Sequence, residues 1–134
     1  MEDFVLTRRV YYHDTDCGGI VYYANYLKYL EEARTEYFYS QNVDLKKLFE
    51  EGIWFVVAHI DIDYRKPARY QDMLSIKTRI GKVKYGSVEL FQRIEREELL
   101  IVEARTVLVC VGNDFRPLAI PSELRKKFIP FAHK

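Results

Sequence analysis

The sequence predicts an α+β fold in which a five-stranded antiparallel sheet wraps around one long central helix. Three observations support this prediction. One long stretch has apolar residues at helical spacing, four stretches alternate apolar and polar residues with the period of a strand, and a fifth is more continuously apolar. The turns between the last four strands are too short to hold crossover helices, so neighbouring strands run antiparallel. One sheet face and one helix stripe can then bury each other.

The first predicted strand spans residues 4–12, where Phe4, Leu6, Val10 and Tyr12 share one side of a period-two pattern. A loop of small and polar residues follows at 14–19. The long helix is predicted for residues 22–41. Its apolar stripe is formed by Tyr26, Tyr29, Leu30, Ala33 and Tyr37.

Charged residues fill the remaining positions of the long helix, and Glu31 and Arg34 are predicted to pair on its exposed surface. A shorter helical turn is predicted for residues 45–51, where Gly52 ends it. A last helical turn is predicted for residues 122–128, with Ser122 as its N-cap.

Four strands are predicted between these two short helical segments. Alternating patterns mark strands near residues 60–64, 74–80 and 88–95. Residues 99–111 are more continuously apolar, which is typical of a strand covered on both faces.

The chain of 134 residues has the usual size of one domain, so we expect a single domain over residues 1–134. A five-stranded sheet on a single helix leaves an edge strand without a partner. Pairing across a two-fold axis would cover that edge. We therefore expect a homo-oligomer, either a dimer or a tetramer.

Composition excludes several classes of partner. Lys and Arg total 21 against 20 acidic residues, a net charge of +1, which does not favour nucleic acid or an anionic membrane. The two cysteines, Cys17 and Cys110, are fewer than a secreted domain of this size often carries. No apolar stretch approaches the ~20 residues that span a bilayer. We expect a cytoplasmic protein without membrane insertion.

The loop before the long helix is the candidate for chemistry. It holds His13, Asp14 and Asp16, and the glycines Gly18 and Gly19 permit a sharp turn and a close approach of backbone to a ligand. The first N–H groups of a helix lack intrahelical partners and can stabilise the oxyanion of acyl transfer. A carboxylate beside that oxyanion could attack a carbonyl carbon or take a proton from water.

Other interpretations of this loop stay open on spacing alone. Asp14 and Asp16 are also suited to a turn and to the N-cap of the helix. A calcium loop is disfavoured, because Gly18 and Asn25 stand where its third ligand and its bidentate Glu would be. The Cys and His residues show no spacing typical of a metal site, and we expect none.

Several motifs carry a resemblance to a known family. They are 14–22 (DTDCGGIVY), 24–27 (ANYL), 32–36 (EARTE), 64–69 (YRKPAR) with Asp72, and 109–111 (VCV). Together they resemble the YbgC-like acyl-CoA thioesterases, which belong with 4-hydroxybenzoyl-CoA thioesterase in the hotdog superfamily. The resemblance implies the hotdog fold and hydrolysis of acyl-CoA to a free acid and CoA. It implies no metal and no cofactor, since CoA is part of the substrate.

The resemblance also implies site residues. Asp16 corresponds to the catalytic carboxylate, acting as nucleophile or as general base, and Tyr12 to a site tyrosine of some members. The backbone N–H near Tyr23 would polarise the carbonyl. Many members have His where this chain has Tyr23, so a His-assisted mechanism is not implied. Contacts to the substrate are expected from Gly19, Val21, Tyr22, Lys82 and Lys84.

The two lysines are the expected partners of the CoA phosphates, although solvated lysines at a strand end are an equally simple interpretation. An alternative function is a hotdog scaffold with little catalysis. Such a scaffold would bind acyl carrier protein, or partners in envelope or phospholipid synthesis.

Overall fold

The computed structural model describes residues 3–128, and the sheet within this range contains five antiparallel strands. The strands are β1 (Phe4–Arg9), β2 (Trp54–Tyr64), β3 (Met73–Val83), β4 (Ser87–Arg96) and β5 (Leu99–Val111). Their spatial order is β1-β3-β4-β5-β2, which makes β1 and β2 the two edges. The predicted α+β sheet is confirmed.

Three helices accompany the sheet: α1 (Asn25–Ser40), α2 (Leu45–Glu50) and α3 (Ser122–Phe128). The predicted stripe of α1 is buried, and Phe38 extends it. The core lies between this stripe and the inward side chains of β3, β4 and β5, such as Leu74, Ile94 and Val102. Gly52 ends the second helical segment in the left-handed region, at φ +81°, as predicted.

The first predicted strand is too long. β1 ends at Arg9, and Tyr12 begins a 3₁₀ turn with its side chain 77% exposed. Val10 still bonds to the β2–β3 connection through Asp72, but the Tyr11 N–H donates to the Asp14 carboxylate instead of to a strand. This side-chain hydrogen bond takes the place of a backbone hydrogen bond between strands, so the strand ends earlier than predicted.

The start of the long helix also differs from the prediction. α1 begins at Asn25, and its N-cap is Ala24, which offers no side-chain acceptor. Neither Asp14 nor Asp16 caps this helix, so the capping interpretation is wrong. The N–H of Tyr22 bonds to the Asp14 carbonyl at 3.0 Å, which holds the preceding residues out of the helix.

Two further predictions about burial are wrong. Arg34 is only 8% exposed, and no carboxylate among the described residues lies within 4 Å of it, so it does not pair with Glu31 on the surface. β5 is not covered on both faces, because burial alternates along it and Glu103 is exposed. Within residues 3–128, no helix has the length and apolarity required to cross a membrane.

Two leucines of α1 that differ in burial test the packing of the helix on the sheet. Leu30 is fully buried, whereas Leu27 is 41% exposed. We expect Leu30→Ala to lower the free energy of unfolding by about 2–5 kcal/mol, because it leaves a cavity in the core. Leu27→Ala, the control, should change it by no more than about 0.5 kcal/mol. Urea unfolding measures both values, and equal losses would contradict this packing.

Candidate active site

The loop between β1 and α1 is a tight hairpin closed by backbone hydrogen bonds. Thr15 and Val21 form an antiparallel bridge, and the Asp16 N–H donates to the Ile20 carbonyl at 2.9 Å. The Gly19 N–H returns to the Asp16 carbonyl at 3.1 Å. Gly19 has φ +78°, a conformation that other residues adopt only with strain. Asp16 therefore stands at the start of a small, well-defined turn.

Asp14 anchors this hairpin from inside the protein. Its Oδ2 atom accepts hydrogen bonds from the Tyr11 N–H at 2.8 Å and from Arg8 Nη1 at 3.0 Å. Its backbone carbonyl accepts from the Tyr22 N–H and, at 2.8 Å, from Asn25 Nδ2. The side chain and backbone of one residue thus hold both ends of the segment that contains Asp16.

Arg8 connects the anchor to the rest of the fold. Its Nε atom lies 3.0 Å from the Glu32 carboxylate on α1, and its guanidinium lies 4.6 Å from the centre of the Tyr29 ring. The Tyr29 hydroxyl faces Asp14 but is buried without a well-formed hydrogen bond. Burial opposes the charge of Asp14, yet the Tyr11 N–H and the Arg8 guanidinium outweigh it and lower the pKa of Asp14.

Asp16 itself is exposed. Its Oδ1 atom accepts a hydrogen bond from the Gly18 N–H at 2.8 Å, which orients the carboxylate and leaves Oδ2 available to a ligand. Asp14 and Asp16 are therefore chemically distinct although they are two residues apart. The first is a buried structural group, and the second is a solvent-facing group on a rigid turn.

Two unpaired backbone N–H groups follow the hairpin. The N–H groups on either side of them are paired, because that of Tyr22 donates to the Asp14 carbonyl and that of Asn25 donates to the Tyr22 carbonyl. Between them, the N–H groups of Tyr23 and Ala24 have no acceptor among residues 3–128. They lie at the N-terminal end of α1, where unpaired N–H groups and the helix dipole favour negative charge. This is the arrangement that the sequence predicted for an oxyanion site.

Exposed tyrosines surround the hairpin. Tyr12 packs edge-on against Tyr70 at 5.8 Å, and Tyr23 packs against Tyr22 at 5.0 Å and against Tyr64 at 6.2 Å. The positions of Tyr64 and Tyr70 could not be inferred from the sequence, because both lie near the β2–β3 connection, far along the chain. The sequence signals were the content of 11 tyrosines and the presence of Tyr64 in the motif 64–69.

The remaining predicted contact residues divide into two groups. Gly19 and Tyr22 lie on the hairpin with Asp16, and apart from the adjoining residues no atom lies within 4 Å of the position that a Cβ at Gly19 would take. Val21 is only 3% exposed, and its N–H bonds to Ala68, so its side chain belongs to the core. The structure thus brings together Tyr12, Asp16, Gly19, Val21, Tyr22 and Tyr23.

Lys82 and Lys84 lie elsewhere. Met73, at the start of β3, pairs with Arg9 near the hairpin, and Lys82 is nine residues further along the same strand. At about 3.3 Å per residue, the two lysines are roughly 30 Å from the hairpin end of the sheet. Both are exposed, and within one chain they do not share a site with Asp16.

Among the described residues, no group of three or more His, Cys, Asp or Glu side chains could hold a metal ion. His13, which lies 3.5 Å from Asp14, is exposed and belongs to the 3₁₀ turn.

Comparisons with known proteins identify the family and the fold. The family described as the thioesterase-like superfamily matches residues 10–128. The acyl-CoA thioesterase YbgC of Haemophilus influenzae is 39% identical over 122 residues, which cover 90% of each chain. A solved gentisyl-coenzyme A thioesterase is 27% identical, with a TM-score of 0.87 over 93% of this chain and 99% of its own.

A DHNA-CoA thioesterase from Staphylococcus aureus has a TM-score of 0.91 at 22% identity, over 97% of this chain and 91% of its own. This likeness concerns the fold alone. The hotdog fold expected from the sequence is confirmed.

Replacement of Asp14 tests whether its carboxylate stabilises the fold. A carboxyl group whose pKa is lower in the folded than in the unfolded chain stabilises the fold above its unfolded pKa, about 3.9. This stability is lost as the pH falls through the folded pKa. We expect Asp14→Asn to lower the free energy of unfolding at neutral pH by about 3 kcal/mol, because it breaks a buried ion pair.

Below about pH 4 the stability of the parent falls partly because Asp14 becomes protonated, so the stability of the variant should fall less over the same range. Asp63→Asn is the matched control, since the Asp63 side chain is 71% exposed and its ion pair with Arg65 spans 3.8 Å. Chemical unfolding across a pH series measures both effects. An Asp14→Asn protein as stable as the control at neutral pH would show that the anchor does not hold the fold.

Proposed function

The chain belongs to the thioesterase-like superfamily, and we propose that it hydrolyses acyl-CoA to a free acid and CoA with Asp16 as its catalytic carboxylate. The chain is a thioester hydrolase. The observation that carries the finer proposal is one short hairpin that presents a free carboxylate oxygen and is followed, seven residues after Asp16, by two unpaired backbone N–H groups.

The proposed reaction uses these groups in order. The thioester oxygen accepts hydrogen bonds from the Tyr23 and Ala24 N–H groups, which stabilise the oxyanion as it forms. Asp16 Oδ2 then attacks the carbonyl carbon and expels the CoA thiolate, and water hydrolyses the resulting mixed anhydride. In the general-base variant, Asp16 takes a proton from the attacking water. Either route consumes one water and releases one acid and one thiol.

The proposed polarising group at position 23 is backbone, so it does not depend on the side chain. Tyr23 contributes an aromatic ring beside Tyr22 and Tyr64, and Tyr12 and Tyr70 form a second pair of rings near the hairpin. The open space at Gly19 leaves backbone accessible to the thioester and its amide-bearing arm.

We further propose that two chains associate through β2. The other edge strand, β1, has six residues and ends in Arg8 and Arg9, which are features that protect an edge. β2 has eleven residues, and Val57 on it is 50% exposed. A long, partly apolar edge of this kind is suited to pairing with a second copy.

Antiparallel pairing of β2 with its copy would join opposite ends of the two sheets. Trp54 pairs with Val111, at the sheet end where β3 finishes near Lys82 and Lys84, and Tyr64 lies at the end near Asp16. The lysine end of one chain would then approach the Asp16 end of its partner. We propose that the lysines bind the CoA phosphates of the partner's site.

Substitution of Asp16 tests the catalytic assignment. Asp16→Asn keeps the size of the side chain and the hydrogen bond from Gly18, but removes the charge. We expect kcat for acyl-CoA to fall by a factor on the order of 10²–10⁴ with KM little changed, because a nucleophile or base is lost. Free-thiol release across a panel of acyl-CoA chain lengths and aromatic acyl groups measures this.

Glu50→Gln is the control, since it removes an exposed carboxylate on α2, which follows the end of α1 that is remote from the hairpin. Asp14→Asn cannot serve, because Asp14 is part of the buried anchor. Near-parental turnover of Asp16→Asn on every substrate that the parent cleaves would exclude Asp16 as the catalytic group. A parent that cleaves none of them would favour the scaffold that binds acyl carrier protein.

Subunit mixing tests the association and the role of the lysines together. One variant carries Asp16→Asn, and the other carries Lys82→Ala and Lys84→Ala. If the lysines act on the partner's site, a mixed dimer has one site with both defects and one intact site. Mixing should therefore restore turnover at low acyl-CoA concentration to well above that of either variant.

If the lysines act within their own chain, every site of the mixed dimer keeps one defect and no recovery occurs. Light scattering on the parent provides the accompanying measurement, and a monomer at micromolar concentration would contradict the proposed pairing. A pantetheine thioester, which lacks the nucleotide phosphates, is the control substrate and should show no effect of the lysines.

A further inference from the structure

Arg34 is a buried cation without a buried anion. It lies on α1 and is 8% exposed, and its one recorded hydrogen bond joins Nη1 to Gln92 Oε1 at 3.3 Å. Gln92 is itself engaged by the Leu30 carbonyl and by Thr78. Buried charges in proteins are ordinarily paired, because desolvation of an isolated ion is costly. The fold therefore leaves this guanidinium with N–H donors and a positive charge that could bind an anion.

A cavity lies beside Arg34. It has a volume of ≈ 280 Å³ and opens between α1, α2 and the start of β2. The Arg34 atoms Nε and Nη2 have no acceptor among the described residues and are not sealed off by protein. The remaining wall is mainly apolar, with the aromatic residues Phe38, Phe49, Trp54 and Phe55 as its largest members.

The chemistry of the wall specifies the ligand. One guanidinium offers two parallel donors, which match the two oxygens of a carboxylate. The aromatic side chains offer apolar contact to a ring or a short hydrocarbon, and the volume suits a small ligand. A single cation does not favour a multiply charged phosphate. Glu31, on the rim, adds negative charge that an incoming anion must overcome.

We propose that this cavity binds the carboxylate of a small aryl acid, with Arg34 as the charged partner and the aromatic side chains around the ring. Arg34 lies eleven residues beyond Tyr23, which corresponds to roughly 16 Å along the helix. In the same chain the cavity is thus separate from the hairpin of Asp16, and the inference goes beyond the proposed function.

The chain contains a single tryptophan, Trp54, and it lies in the wall of the cavity. Its fluorescence, excited where tyrosine does not absorb, therefore reports ligand binding directly. The full-length protein is titrated with benzoate and, separately, with benzyl alcohol, which has the same ring without the charge. We expect a saturable change with benzoate and a much weaker one with benzyl alcohol.

Three variants determine whether Arg34 is responsible. Arg34→Gln should weaken benzoate binding roughly tenfold or more, the loss expected for a charged hydrogen-bonding partner. Glu31→Gln should strengthen it, because a competing negative charge is removed. Arg79→Gln, at an exposed arginine on β3, is the control and should leave the affinity unchanged.

The absence of a saturable response, or equal responses to benzoate and benzyl alcohol, would overturn the proposal. An unchanged affinity in Arg34→Gln would do the same. If Arg34→Gln does not fold, the comparison of the two ligands and the effect of Glu31→Gln on folded protein still decide.

The carboxylate could belong to a free acid or to the far end of an acyl group on CoA. Inhibition kinetics distinguish them: competition between benzoate and acyl-CoA assigns the cavity to the acyl group, and non-competitive inhibition assigns it to a separate acid. The titration needs no turnover and can be repeated on Asp16→Asn. Its outcome is therefore independent of whether Asp16 is catalytic.

Discussion

The ion pair between Arg8 and Asp14 is the constraint on which the geometry of the site depends. One guanidinium joins β1, the hairpin and α1, because it contacts Asp14 and Glu32 at 3.0 Å each. The Asp14 carbonyl then fixes the N–H of Tyr22 and the side chain of Asn25. The exposed Asp16 has few contacts of its own, so its position is determined by the buried Asp14. Such a division separates the residue that carries stability from the residue free to react.

The topology of the sheet separates the hairpin from the two lysines that we propose to bind the CoA phosphates. The hairpin and its tyrosines lie at one end of the sheet, and the basic turn after β3 lies at the other. The two edge strands also differ, because β1 is short and carries arginines whereas β2 is long and partly apolar. The proposed two-fold axis beside β2 would cover the apolar edge and would bring the lysine end of one chain to the hairpin end of the other.

Local patterns in the sequence were sufficient for the sheet, the stripe of α1 and the hairpin, because each depends on the periodicity of nearby residues. They failed where a side chain competed with the backbone. Asp14 ends β1 early by accepting the Tyr11 N–H, and no period-two pattern contains that information. They failed again at Arg34, since a charged residue beside the apolar stripe is ordinarily solvated, and only the long-range position of Gln92 draws it inward. The contacts of Tyr64 and Tyr70 likewise require the tertiary fold.

The exposure of Asp16 has a chemical consequence. A carboxylate in water is well solvated, and attack on a thioester requires that much of this solvation be replaced by fixed dipoles. The N–H groups of Tyr23 and Ala24 supply such dipoles, but the surrounding tyrosines remain open to solvent, with Tyr12 77% and Tyr23 62% exposed. Hydrogen bonds to an oxyanion are strongest where water is excluded. The aromatic end of a partner's β2, around Trp54, would provide that exclusion at the same place where antiparallel pairing delivers the lysines. The same edge strand would then serve both the association of two chains and the exclusion of water from the catalytic site.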